Sequence, residues 1–295
     1  MLYDLVALGE TMIALAPPPG GTIRSADRLL VDHAGAESNT CVGLSRLGLQ
    51  VAWISRLGAD AAGDRIHAAL TAEGIDTRWV GRDTTRPTGL MLKEPGAGVR
   101  YYRTGSAASV MGPEVLEGVP IAEARAVLVT GVTALIGPEP HAAGLALLGS
   151  ARGLRIVDPN LRPGLWGSDR RVQLVLPFIE RCDLLLTGVL ELEELLGGGG
   201  DLQALARHAA ARGPQEVVVR GMSSIGVLTP EGWEELEIRR DAAVDPIGAG
   251  DAFNAGYIAV RLQGGTIGEA LRAGAKCGAA VTSTPSDTSG FPRTL

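Results

Sequence analysis

The chain has 295 residues, 45% hydrophobic and 20% charged, which is enough to bury an ordinary core in one large α/β domain and excludes a disordered chain. A net charge of −6, with Lys and Arg scattered along the sequence, leaves no basic face for a nucleic-acid backbone. Cys41, Cys182 and Cys277 stand far apart in apolar surroundings and the four histidines are dispersed, so buried free thiols are expected rather than a disulfide or a protein-held zinc.

The first strand is expected at Leu5–Leu8, with Glu10 just past its end in Gly9-Glu10-Thr11. No basic-then-apolar leader precedes it, and no apolar run approaches the ~18 residues of a membrane span, so a cytoplasmic protein is expected. Thr22–Asp32 reads as a strand of mixed polarity, followed by a helix over 36–47, a strand from Val51 to Ile54 and a helix over 62–73. Thr88–Lys93 and Val99–Thr104 are two further mixed strands with no helix between them. Strands at Ala126–Val129, Leu154–Val157, Leu184–Leu186 and Val217–Val219 then alternate with helices over 139–152, 169–181, 190–196 and 202–212, and Gly197–Gly200 reads as a loop. Helices over 249–263 and 267–281 follow. The apolar runs are too short for helices and too uniform for half-exposed strands, which predicts a doubly wound, mostly parallel sheet covered on both faces. Ligands should gather at the carboxyl ends of its strands.

Near the end of the chain, Asp245-Pro246-Ile247-Gly248-Ala249-Gly250-Asp251-Ala252-Phe253-Asn254-Ala255-Gly256 joins a glycine-rich turn, a carboxylate and a helix start. Gly248 and Gly250 allow a tight turn with uncovered N–H groups, and the positive end of the helix dipole faces the same spot. Asp251 falls in the first helical turn, where the dipole favours its ionised form, so a candidate base lies beside an anion-binding nest. Phosphoryl transfer to an alcohol needs both. The plainer alternative is a capping Asp251 and loop-forming glycines.

This string resembles the C-terminal signature of the ribokinase-like (PfkB) sugar kinases, D-T-x-G-A-G-D-x-F, and Gly35-Ala36-Glu37-Ser38-Asn39 through Arg46-Leu47-Gly48 resembles their N-terminal signature. The likeness runs from Leu8-Gly9-Glu10 to Gly290-Phe291-Pro292. It implies one domain over 1–295, with a small β-sheet lid from about 12–33 and 86–105 that covers the sugar and pairs with a second subunit, giving a homodimer or higher oligomer. It also implies ATP and Mg2+ as cofactors, Asp251 as catalytic base and the backbone of Gly248, Ala249 and Gly250 as anion hole. Glu191 matches the glutamate of an N-x-x-E motif that holds magnesium through water, with Gly188 in the Asn position; the alternative is a helix-surface glutamate. Arg220 and Gly226, in a loose match to K-x-G-x-x-G, are implied nucleotide contacts. A monovalent-cation site is a further implication, although Pro246 and Ile247 replace the usual hydroxyl-bearing residues.

Within the family the likeness is closest to 2-keto-3-deoxygluconate kinases. Tyr101-Tyr102-Arg103 with Ser106-Ala107 resembles their Y-x-R-x-x-S-A segment, and Asp158-Pro159-Asn160-Leu161-Arg162 resembles their D-x-N-x-R segment. By that match Tyr101, Arg103 and Arg162 face the carboxylate of a sugar acid, Gly35 and Asn39 its hydroxyls, and Asp287 adds a contact. Glu10, at the mouth of the site, is a candidate hydroxyl ligand. Met91 stands where the pattern has a tyrosine. The alternatives are an exposed Arg103, an Arg162 paired with Asp158, a fructokinase, ribokinase or other ketose kinase, and a non-catalytic sugar or nucleotide sensor.

Overall fold

The computed structural model describes residues 2–94, 98–161, 170–238, 247–282 and 286–295. In chain order its elements are β1 (Leu5–Leu8), β2 (Met12–Ala16), β3 (Leu30–Ala34), α1 (Ala36–Arg46), β4 (Val51–Gly58), α2 (Ala61–Ala72), β5 (Val80–Asp83), β6 (Leu90–Glu94), β7 (Gly98–Tyr102), β8 (Ala126–Thr130), α3 (Gly131–Leu135), α4 (Pro138–Ser150), β9 (Leu154–Asp158), α5 (Leu176–Ile179), β10 (Leu184–Gly188), α6 (Val189–Leu196), α7 (Leu202–Ala210), β11 (Glu216–Arg220), β12 (Ser224–Thr229), β13 (Gly232–Glu237), α8 (Ala249–Leu262) and α9 (Ile267–Thr282).

Side chains of β1 alternate between two apolar layers. Leu5 and Ala7 pack with α1, α2, α8 and α9, while Val6 and Leu8 pack with α4, α5, α6 and α7. Successive residues of a strand point to opposite faces, so a sheet with helices on both sides makes its central strands apolar along most of their length, with polar residues such as Thr130 and Asp158 at their carboxyl ends. The large sheet runs β13-β12-β11-β10-β9-β8-β1-β4-β5. It is parallel from β11 through β5, and β12 and β13 close one edge antiparallel.

The small sheet, β3-β2-β6-β7, contains one parallel pairing, between β2 and β6. Its strands differ in part from those expected. Thr22–Ser25 is a turn, held by the Ala26 N–H to the Thr22 carbonyl at 3.0 Å, and pairing starts only at Leu30; β2 takes the place in the sheet instead. Within the expected 169–181 helix, only Leu176–Ile179 among the described residues is α-helical, after 3-10 turns at Arg170–Val175. The three cysteines are free and buried. Among the described residues no helix is long and apolar enough to cross a membrane.

Candidate active site

The site begins at the N-terminus of α8. Gly248 caps the helix with φ +85°, the left-handed region, and a Cβ there would lie 2.7 Å from the Asp287 carbonyl oxygen. Both conditions call for glycine. The first N–H groups of a helix have no intrahelical acceptor, so the turn from Gly248 through Gly250 presents donors and the positive dipole end at one point. Asp251, 4% exposed, is in the first turn of this fourteen-residue helix.

Two amides hold the Asp251 carboxylate. Asn39 of α1 donates to Oδ2 at 2.8 Å, and Asn160, just after β9, donates to Oδ1 at 3.3 Å. The two sequence signatures thus meet across 212 residues of chain. Asn39 Oδ1 is buried without a hydrogen-bond partner among the described residues. Asn160 was not anticipated as a site residue. It is the one non-glycine with positive φ (42°) among the described residues, and the Asp158 carboxylate accepts its N–H at 2.8 Å. Asparagine tolerates that backbone, and the turn aims its amide at Asp251.

Beside the anion nest lies a buried charge network. Asp158, fully buried, accepts from Asn254 Nδ2 at 2.6 Å and from Arg220 Nη2 at 3.4 Å, and Arg220 Nη1 donates to Asn254 Oδ1 at 2.6 Å. A Cβ on Gly250 would lie 3.7 Å from Arg220 Nη2, which places the guanidinium against the turn. Asn254, one turn after Asp251 on α8, is a second residue the sequence reading did not single out; the i, i+3 spacing is its signal. Glu191 accepts the Leu161 N–H at 2.9 Å and the Gly188 N–H at 2.7 Å, and lies 4.0 Å from Arg220. It is therefore no solvated helix-face glutamate. Gly226 is not brought to the site: it lies in β12, where the Trp233 indole fills the space of a side chain.

The small sheet covers one side of the cleft. Arg103 Nε donates to Glu10 Oε2 at 2.6 Å with Nη2 on the same oxygen, Ser106 Oγ donates to Oε1 at 2.7 Å, and the guanidinium lies 5.4 Å over the Tyr101 ring. Arg103 is thus buried and paired, not exposed. Its Nη1 has no protein partner among the described residues. Lys93 of β6 forms an ion pair with Asp287. Gly35 caps α1 where a Cβ would lie 2.3 Å from the Glu10 carbonyl oxygen. Arg162, Asp245 and Pro246 lie outside the described residues; Asp158, the alternative partner of Arg162, pairs with Arg220.

Between these walls is a cavity of about 440 Å³, lined by Glu10, Met12, Ala34, Gly35, Ala36, Asn39, Met91, Gly98, Val99, Tyr101, Arg103, Val132, Asn160, Ile247, Asp251 and Asp287. Its size suits a small molecule. The anticipated Glu10, Gly35, Asn39, Tyr101, Arg103, Asp251 and Asp287 all line it. For nucleotide phosphates the residues fit: the Gly248 turn and Arg220 form a cationic cradle. For magnesium, no group of three acidic, histidine or cysteine side chains suited to an ion occurs among the described residues, so the donor set fits an ion carried mainly by phosphates, with Glu191 as an acceptor for its water.

Comparison with known proteins identifies the family. Residues 3–294 match the pfkB family carbohydrate kinase profile. The 2-dehydro-3-deoxygluconokinase of Bacillus subtilis is 32% identical over 99% of this chain and 93% of its own length. The 2-dehydro-3-deoxygalactonokinase of Haloferax volcanii is 30% identical over 93% of this chain and 89% of its own. The crystal structure of a PfkB protein from a Polaromonas species superposes with a TM-score of 0.86 at 34% identity, covering 95% of this chain and 96% of that one. With that match, a buried carboxylate after a glycine turn at the start of α8, an amide from α1 on that carboxylate and a sheet over the cavity, the chain belongs to the pfkB family of carbohydrate kinases.

Proposed function

We propose that this kinase transfers the γ-phosphoryl group of ATP to a hydroxyl of a small sugar acid, 2-keto-3-deoxygluconate first among them. The observation that carries the acid reading is Arg103: a lid cation in the same cavity as Asp251, with no acceptor for Nη1 among the described residues. Relatives named for 2-dehydro-3-deoxy sugar-acid phosphorylation support it.

In this mechanism Asp251 takes the proton of the acceptor hydroxyl while Asn39 and Asn160 fix the direction of its carboxylate. The N–H groups of the Gly248–Gly250 turn and the Arg220 guanidinium face the charge that develops on the moving phosphoryl group. ATP with magnesium supplies that group and spreads its charge when bound, with Glu191 placed to hold an ion-bound water. Gly35 and Asn39 Oδ1 face the acceptor's hydroxyls, Tyr101 and Arg103 its carboxylate, with Arg162 and Asp287 as further contacts. The lid closes over the acceptor and keeps water from the phosphoryl group.

A neutral ketose such as fructose is the second reading. It is favoured by the Glu10 carboxylate, which already neutralises Arg103, and by Met91, an apolar side chain on the cavity wall. ADP release measured over a panel of sugar acids and matching neutral sugars decides between them: a higher kcat/KM on the acid supports the first reading, and turnover confined to neutral sugars supports the second.

We also propose association through the lid. Leu30 and Val31 on β3 and Tyr102 on β7 are exposed, and these strands are the open edges of the small sheet.

A further inference from the structure

We propose that Lys93 sets acid specificity by masking the charge of Asp287, a role that rests on the sugar-acid reading. Among the described residues three carboxylates line the cavity: Glu10, Asp251 and Asp287. An anionic acceptor entering there meets like charges, and only Asp251 has to stay ionised as the base. The other two are each covered by a cation from the small sheet, Glu10 by Arg103 and Asp287 by Lys93.

The placement of Lys93 follows from strand alternation. Met91 lines the cavity, and Lys93, two residues on, shares its face of β6. Across the ladder Met91 pairs with Tyr101 and Lys93 with Val99, both cavity-lining. The ammonium runs from the end of that face to the C-terminal loop, with its side chain 11% and that of Asp287 4% exposed. Asp287 also seats the anion nest, since its backbone lies against Gly248. These two ion pairs help fasten the sheet to the core, and each removes a negative charge from the acceptor's surroundings. Lys93 acts through Asp287 and does not line the cavity itself. It is a positioning residue.

Without Lys93, Asp287 loses the cation paired with it, and the stronger repulsion of a second carboxylate changes binding by roughly tenfold or more. A neutral sugar feels little of this. Steady-state kinetics of the full chain on 2-keto-3-deoxygluconate and on fructose test it, with a thermal melt of each variant. Lys93→Met should lower the acid-to-neutral ratio of kcat/KM by roughly tenfold, mainly through KM for the acid. Lys93→Arg should hold the ratio. Adding Asp287→Asn to Lys93→Met should return it most of the way, whatever the absolute rates. Equal losses on both substrates, or a double variant with the low ratio of Lys93→Met, would overturn the masking role. If the wild-type enzyme prefers the neutral sugar, the sugar-acid reading fails by that result alone. Masking is then read as the inhibition constant of gluconate against the neutral sugar: Lys93→Met should raise it by about tenfold, and an unchanged constant overturns the proposal.

Discussion

Asp251 accepts an amide from α1 and one from the turn after β9, so its replacement by Asn keeps size and packing while removing the proposed base. Turnover should fall by about 10²-fold or more, with the melting temperature near that of the native chain. Near-native turnover would reject the assignment. Gly248→Ala tests the nest. The left-handed φ and the 2.7 Å approach to the Asp287 backbone force the turn to shift, so KM for ATP should rise and the fold should lose about 1–2 kcal/mol. An unchanged KM for ATP would remove the turn from the phosphate site. Arg103→Ala should cost use of a sugar acid roughly one to two decades in kcat/KM, and use of a neutral sugar less. Because Glu10 loses its partner in the same variant, Arg103→Lys is the companion measurement; it restores the charge but not the two-point contact, and should recover only part of the loss.

At the scale of elements, α1 is the hinge between the fold and the chemistry, and Glu37 fixes it. Its Oε1 accepts from Thr130 N–H at 3.0 Å and from the Thr130 and Thr133 hydroxyls at 2.8 Å each, tying α1 to the end of β8 two residues before Asn39. Oε2 is buried without a hydrogen-bond partner among the described residues, and burial pushes this carboxyl above the ordinary glutamate range. The folded chain therefore holds the proton more tightly than the unfolded chain. That contribution is fully present below the ordinary value of 4.5 and is lost as pH rises through the higher folded value. Glu37→Gln keeps the Oε1 acceptor and drops the titration, so its melting temperature relative to the native chain should improve from about pH 5 to about pH 8. A difference independent of pH would show that Glu37 is ionised in place. The central strands were legible because a strand covered on both faces is apolar along its covered length, as β1 and the Ala126–Val129 stretch of β8 are. β13 was not, since Gly232–Glu237 is a glutamate-rich edge strand whose pairing comes from its neighbour β12 and not from its own pattern. Within the site, Asp251 and Asn39 were legible through motifs. Lys93 was not, because a lone lysine on a half-polar strand gives no signal until the fold brings Asp287 to it across 194 residues.

At the scale of the whole molecule, a doubly wound sheet supplies the rigid floor and the small sheet supplies a roof joined to it by two ion pairs. The exposed edges of that roof lead to a further expectation: sedimentation should give a dimer or larger assembly, and Tyr102→Glu should shift it toward monomer. A native chain that sediments as a monomer at all concentrations would reject lid pairing. The central claim is that this cavity phosphorylates a sugar acid with Asp251 as its base. The most direct measurement is ADP release by the native enzyme and by Asp251→Asn on 2-keto-3-deoxygluconate and fructose, each with ATP and magnesium. The account predicts higher kcat/KM on the acid and a loss of about 10²-fold or more in the variant on both substrates; a native enzyme inactive on the acid, or a variant that keeps its turnover, would contradict it.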